Sequence, residues 1–369
     1  MEYTLLLIIF IGFFLRLIIA IWNGFFGPSP GADFDAEGLN RFASEVARTG
    51  VFDDVSIGYT PYTNFLGIIY SYTINHIFIG SLLSCFIWVW SAFLIKKCFK
   101  LIFTENKSIL FGLWIYCLLP SSLFLTSVTL REPYQLVLIN ISLFALLKIY
   151  IKKSNIYWFV FLFGLILASS LHGGLIAFGI INIIAALFLI SCDRGSRYSW
   201  IKMGLAIILF LCLIFSGYFL FDELPYGLEL GVSNSVADYQ NGVLRSDGRT
   251  NYKDKVELSS FLDLLIFLPT TLIQYLFEPF PWHITTISDA ILMIENIIRV
   301  WLIFSIFKSL RGFKNTDKKL LNFLWFSYFS MEIIWSLGTV NWGTSARHHI
   351  PSMGILLLAG FMSSTKKIK

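Results

Sequence analysis

Apolar runs long enough to cross about 30 Å of hydrocarbon recur along this chain, and short clusters of lysine and arginine separate them. No other feature restricts its fold so strongly. Inside a bilayer every backbone N–H and C=O must be satisfied within the protein, so segments of this kind have to be helices or parts of a closed barrel. The runs are far longer than the roughly ten residues of a barrel strand, which leaves helices. Composition agrees: 56% of residues are hydrophobic, 17% aromatic and 14% charged, where a soluble domain carries about a quarter charged. The expected fold is an all-α integral membrane protein.

The basic clusters orient it. They fall at Lys96/Lys97/Lys100/Lys107, Lys148/Lys152/Lys153, Arg194/Arg197/Lys202, Lys308/Arg311/Lys314/Lys318/Lys319 and Lys366/Lys367/Lys369, and they hold most of the 28 basic residues. The positive-inside rule makes all of them cytoplasmic. Threading between them predicts ten transmembrane helices near 4–23, 77–95, 108–128, 133–151, 156–171, 174–191, 201–221, 284–307, 320–337 and 350–364, with both termini inside. Segment 61–75 is too short and polar to cross. Crossing at 259–277 would put Lys308–Lys319 outside, and Pro269 with Glu278-Pro279 interrupts helix there. Both segments are expected as interfacial or re-entrant helices on the outer face. The chain then reads as one polytopic domain, 1–369, with a first outer loop at 24–76 and a second at 222–283. The stretch 222–258, rich in Asn, Gly and Asp, is a candidate lid.

Of the 23 acids only Glu2, Glu105, Asp193 and Asp317 fall on the cytoplasmic side or its edge, so polar chemistry concentrates outside or within the membrane. The net charge of +5 is sorted by membrane side and does not point to nucleic acid. Cys85, Cys98, Cys117, Cys192 and Cys212 lie in apolar runs or cytoplasmic loops, with neither a disulfide framework nor zinc spacing. A cleaved signal peptide is disfavoured, since the N-terminus lacks a positive charge and Arg16 interrupts the apolar run. No internal repeat is evident.

Three constellations stand out. Asp33 and Asp35 precede a helix expected near 36–48, whose Leu39, Phe42, Ala43 and Val46 form one apolar stripe. Either aspartate serves equally well as an N-cap or as a catalytic base. Arg131 and Glu132 precede Pro133, which suits the first turn of a span, and so sit at its outer mouth as an anchoring ion pair or as functional charges. Arg347-His348-His349, followed by Pro351, opens the last span. A guanidinium with flanking imidazoles suits phosphate, although three consecutive side chains cannot all face one site. His172, before Gly173-Gly174, lines a cavity or merely breaks a helix. Deeper charges are Arg16, the i, i+4 pair Glu295/Arg299, expected as a salt bridge, and Glu332. Trp282 suits an interface anchor. A divalent metal is conceivable but no ligand spacing indicates one, and no cofactor is implied.

Carboxylates with cationic donors on one face are the minimum for moving a sugar off a phospholipid carrier: a base takes the acceptor proton and cations stabilise the departing phosphate. The order of these pieces resembles the GT-C superfamily of polytopic glycosyltransferases that use polyprenyl-phosphate sugars. Asp35-Ala36, Leu39, Ala43 and Gly50 follow the pattern of its first outer loop, and Tyr59 with Pro61 its next segment. Glu132, after Pro120, Ser127 and Leu130, matches its second acid, and Arg347 to Pro351 its late Arg-x-x-x-Pro. The likeness covers about the first 150 residues and the last 30. It implies Asp35 as base, Glu132 as second, orienting acid and Arg347 as phosphate-binding; beside it, the residues themselves suggest Asp33 as cap or auxiliary acid and Arg131, His348, His349 and His172 as substrate-binding. A polyprenyl-linked donor and a lipid-linked glycan acceptor are its implied partners, in a bacterial inner membrane with the site on the outer face. The chain lacks the extracytoplasmic domain of larger members and also resembles O-antigen polymerases. A lipid-linked glycan flippase remains the competing class.

Overall fold

A computed structural model of the protein describes residues 2–30, 33–52, 59–103, 105–194, 248–253, 261–310 and 315–362, together with 240 and 244. The expected span 201–221 lies outside the described residues, as does most of 222–258. Helices run α1 Glu2–Phe25, α2 Asp33–Thr49, α3 Thr60–Tyr72, α4 Ile77–Ile102, α5 Asn106–Leu118, α6 Pro120–Leu125, α7 Glu132–Lys152, α8 Tyr157–Leu171, α9 Gly174–Arg194, α10 Phe261–Phe277, α11 Ile287–Leu310, α12 Asn315–Gly338, α13 Trp342–His348 and α14 Met353–Met362. Asn251 and Asn341 form an isolated β-bridge.

Five of these segments are long and apolar enough to cross a membrane: Glu2–Phe25, Ile77–Ile102, Glu132–Lys152, Ile287–Ser309 and Lys318–Gly338. The fold is therefore all-helical and membrane-type. The other expected spans are shorter apolar helices, Tyr157–Leu171, Gly174–Ile190 and Met353–Met362, or are broken. The solvent-facing sides of α1 and α11 are apolar, with Leu7, Phe10, Phe14 and Trp22 on one and Ile294, Ile297 and Phe304 on the other exposed. Such faces suit lipid rather than water. The reverse holds for α14, whose ten residues are all buried among α4, α5, α7, α11 and α12. At 1.5 Å per residue it is about 15 Å long, half a bilayer, and protein surrounds it.

The expected span 108–128 is interrupted at Pro120, which has no N–H to continue the helix. Two deep charges satisfy the backbone groups this frees. Arg16 donates from Nη1 to the Cys117 carbonyl (2.9 Å) and Gly12 carbonyl (3.0 Å), from Nε to Thr126 Oγ1 (2.7 Å) and from Nη2 to Ser122 Oγ (3.0 Å). Its guanidinium also lies 3.5 Å over the Trp88 ring. Glu295 accepts from the Ser121 N–H at 2.6 Å. The expected Glu295/Arg299 salt bridge is thus replaced. Arg299 instead donates to Asn296 Oδ1 and, at 2.9 Å, to the Leu276 carbonyl. Nor does Pro269 interrupt its segment, because α10 continues through it.

The described parts of the segment expected as the first outer loop fold as two helices, α2 and α3. Leu39, Ala43 and Val46 are buried, and the stripe packs α2 on α3. A Cβ on Gly67 would sit 2.6 Å from Val46 and 2.9 Å from the Ala43 carbonyl, so a glycine there sets how closely the two helices approach.

Candidate functional site

Four segments far apart in sequence bring their polar side chains to one place. Helix α2 opens at Asp33 and carries Asp35 in its first turn. The side chain of Asp33 lies outside the described residues. Helix α7 opens at Glu132, with Pro133 in its first turn, so the acid stands at the helix mouth. Helix α13 is capped by Asn341, whose side chain accepts from the Thr344 N–H at 2.8 Å, and ends in Arg347 and His348. The fourth is the α8–α9 turn with His172.

Arg347 is the hub. Its Nη2 and Nε donate to Glu132 Oε1 at 2.8 and 3.1 Å, and its Nη1 donates to Asp35 Oδ2. The two acids differ sharply. The Glu132 side chain is 2% exposed and that of Asp35 62%, with Arg347 at 10%. Burial by itself would lower the Arg347 pKa, but Glu132 and then Asp35 outweigh it and raise the value above the usual arginine range. The cation is therefore permanent. Glu132 Oε2 is buried with no hydrogen-bond partner, so the acid keeps one acceptor unspent. Arg131 Nη1 donates to the Leu171 carbonyl at 3.2 Å, which ties α7 to the turn bearing His172.

The two histidines of this cluster lie against Trp335 of α12. The His348 ring stacks on the indole at 4.3 Å between centroids, and the His172 ring meets it edge-on, also at 4.3 Å. The two imidazoles are 5.9 Å apart. Burial, with Arg347 and Arg131 nearby, holds His348 well below the ordinary histidine pKa. Burial and Arg131 do the same to His172. Both rings are neutral at pH 7.

His349 parts from this group. Its Nδ1 faces Glu332 Oε2 at 2.6 Å and its Nε2 the Tyr275 carbonyl at 3.1 Å, and Ser352 Oγ donates to Glu332 Oε1. His349 and Ser352 also border a cavity of about 30 Å³ that Glu295 and Arg299 line, room for a water or two. Consecutive residues thus serve two networks, Arg347 and His348 the outer one and His349 the inner one.

Sequence reading missed the clamp beneath α13. Asp289, at the start of α11, accepts from Arg249 Nη1 (2.6 Å), the Thr286 N–H (2.9 Å) and Trp342 Nε1 (3.0 Å). The Tyr252 N–H donates to the Val340 carbonyl (3.0 Å), and Lys253 Nζ to the Ser336 carbonyl (2.7 Å). Residues 248–253, the described end of the expected lid, are therefore fixed over the α12–α13 junction. Burial draws the Lys253 pKa down to about 7. Trp282, the expected anchor, is largely exposed in a short 3-10 turn.

Among the described residues no group of three or more His, Cys, Asp or Glu could hold a metal ion. Comparison with models of known families, with curated proteins and with solved structures gave no match.

Proposed function

We propose that the chain is a membrane glycosyltransferase moving a sugar or glycan from a polyprenyl-phosphate or diphosphate carrier to a lipid-linked glycan on the outer face of a bacterial inner membrane. One observation carries this reading: a permanent, nearly buried guanidinium bridges a buried acid and an exposed one. Glu132 fixes the arginine, and Asp35 lies where substrate and water can reach it. In the reaction Asp35 takes the proton of the acceptor hydroxyl. The acceptor oxygen bonds to the anomeric carbon as the bond from that carbon to the phosphate oxygen breaks. The carrier departs as an anion held by Arg347, and exposed Asp35 returns its proton to water. The reading includes a GT-C-like arrangement with about ten spans and both termini inside. It needs neither a bound metal nor a nucleic-acid partner.

Repeat-unit polymerisation uses the same steps and differs only in the acceptor. A second class, a flippase or transporter of lipid-linked glycan, is favoured by the inner network, since ionisable groups such as Glu332, Glu295 and Arg299 buried at membrane depth tend to line transport paths.

The test is Asp35→Asn in a protein that still inserts, with surface glycan resolved on gels. Loss of the long-chain ladder with the single repeat unit retained indicates a polymerase, and loss of one sugar from normal chains a side-branch transferase. Unaltered glycan sinks the role given to Asp35, whereas substrate trapped on the cytoplasmic leaflet supports transport.

A further inference from the structure

The hydrogen-bond partners of the two histidines at the outer site assign them opposite tautomers. Thr339 Oγ1 lies 2.7 Å from the Trp335 carbonyl and 2.8 Å from His348 Nδ1, and with its single proton both contacts are hydrogen bonds only when it donates to the carbonyl and accepts from Nδ1. His348 therefore carries its proton on Nδ1, which leaves a lone pair on Nε2. His172 is the reverse: its Nδ1 accepts from the Gly174 N–H at 3.1 Å, so the proton of its neutral ring sits on Nε2. Neither Nε2 has a protein partner among the described residues. In the same stack the indole Nε1 of Trp335 is buried without a hydrogen-bond partner.

One acceptor and one donor on adjoining neutral rings complement a hydroxyl, which donates one hydrogen bond and accepts others. They do not suit a phosphodiester, whose oxygens only accept and would meet the lone pair of His348. We infer that His172 and His348 form a hydroxyl-binding site for a sugar, with His348 Nε2 accepting from the hydroxyl, His172 Nε2–H donating to it and the Trp335 indole packing beneath. This deepens the glycosyltransferase reading and rests on it for the owner of the hydroxyl. Phosphate is left to Arg347 alone, so one small site separates the sugar end of the substrate from its anionic end. Thr339 is a positioning residue that acts only by setting the tautomer.

The experiment uses the full-length protein in nanodiscs with 15N-labelled histidine. At pH 7.5 the ring-nitrogen shifts should report Nδ1–H at His348 and Nε2–H at His172. An imidazolium or the opposite tautomer at either ring overturns the inference. A panel of methyl hexopyranosides should then shift both rings saturably, while dimethyl phosphate, whose oxygens only accept, should leave them unmoved. Rings that respond to dimethyl phosphate, or to no glycoside, overturn it as well. Thr339→Val should weaken glycoside binding about tenfold, the worth of roughly one hydrogen bond. His348→Gln, with an amide oxygen near the Nε2 position, should retain more binding than His348→Asn, which keeps only the Nδ1-side donor. If Asn serves as well as Gln, the role of His348 is structural and the inference fails. Glycoside binding alongside unaltered surface glycan in Asp35→Asn supports the hydroxyl site and sinks the transfer reading, so the two fail separately.

Discussion

The unequal burial of the two acids on Arg347 makes a prediction about stability that can be worked from the geometry. Glu132 and Arg347 meet at 2.8 Å with side chains 2% and 10% exposed. At an effective dielectric of about 20 their gross attraction is about 6 kcal/mol, against which both pay for leaving water. Breaking such a pair from one side strands a buried charge, which costs about 3–5 kcal/mol. Asp35 is 62% exposed, and water screens its pairing to about 0–1 kcal/mol. Glu132→Gln should therefore unfold far more easily than Asp35→Asn, although both remove one negative charge from the same arginine. The double variant Glu132→Gln/Arg347→Met removes both buried charges and should recover most of the loss. The assay is denaturant or thermal unfolding in nanodiscs, read as a double-mutant cycle, with surface glycan scored in parallel. Asp35→Asn should abolish function at near-native stability. Equal destabilisation by Asp35→Asn and Glu132→Gln would refute the division into one fixing and one reacting acid.

Lys253 offers a pH test. Its folded pKa of about 7 lies below the unfolded value near 10.4, so between these values the unfolded chain holds more protons and stability rises with pH. Lys253→Met should raise the unfolding temperature most at or below pH 7, and the gain should shrink toward pH 10. A gain independent of pH would show that packing, not charge, is responsible. Glu295→Ala should cost about 1–3 kcal/mol by leaving the Ser121 N–H buried without an acceptor, while Glu295→Gln, whose amide oxygen still accepts, should cost much less. Equal losses in the unfolding assay would show that the cap at Pro120 is not what Glu295 contributes.

Period and charge made some of this architecture legible. The i, i+3, i+4, i+7 stripe of Leu39, Phe42, Ala43 and Val46 marked the face of α2 that meets α3. Sorting lysine and arginine by side placed Asp35, Glu132 and Arg347 on one surface before any contact between them was known. What failed depended on groups distant in the chain. Glu295 and Arg299 have ideal spacing for a salt bridge, yet Ser121 takes the acid because Pro120, far away in sequence, leaves that N–H free. Pro269 has the chemistry of a breaker, yet α10 runs through it. Thr339 carries no motif and acts only through the hydroxyl proton it gives to Trp335. A histidine's charge is likewise not written locally, because burial and neighbouring arginines keep His348 and His172 neutral.

The sequence Arg347-His348-His349 joins the outer site to the inner network without a flexible residue between them, and this has a consequence for function. His349 is held at both nitrogens, by Glu332 and by the Tyr275 carbonyl, and Glu332 is fully buried on α12, the helix that also carries Trp335 beneath the imidazole stack. Removing the ring by His349→Phe leaves Glu332 with Ser352 as its remaining hydrogen-bond donor, so an acid built into the core loses most of its compensation. A buried carboxyl left short of a hydrogen-bond partner costs about 1–3 kcal/mol, and the α12–α13 junction is what must shift to relieve it. We expect His349→Phe to lower both the unfolding temperature and the glycan output, although the His349 ring bonds to Glu332 and the Tyr275 carbonyl and not to the outer-site side chains. In the double variant His349→Phe/Glu332→Leu the unpartnered carboxyl is gone, and stability should return ahead of function, because the clasp that aims Arg347 is still absent. Full recovery of both would mean that the inner network contributes stability alone and that Arg347 is positioned by Glu132 without help from His349.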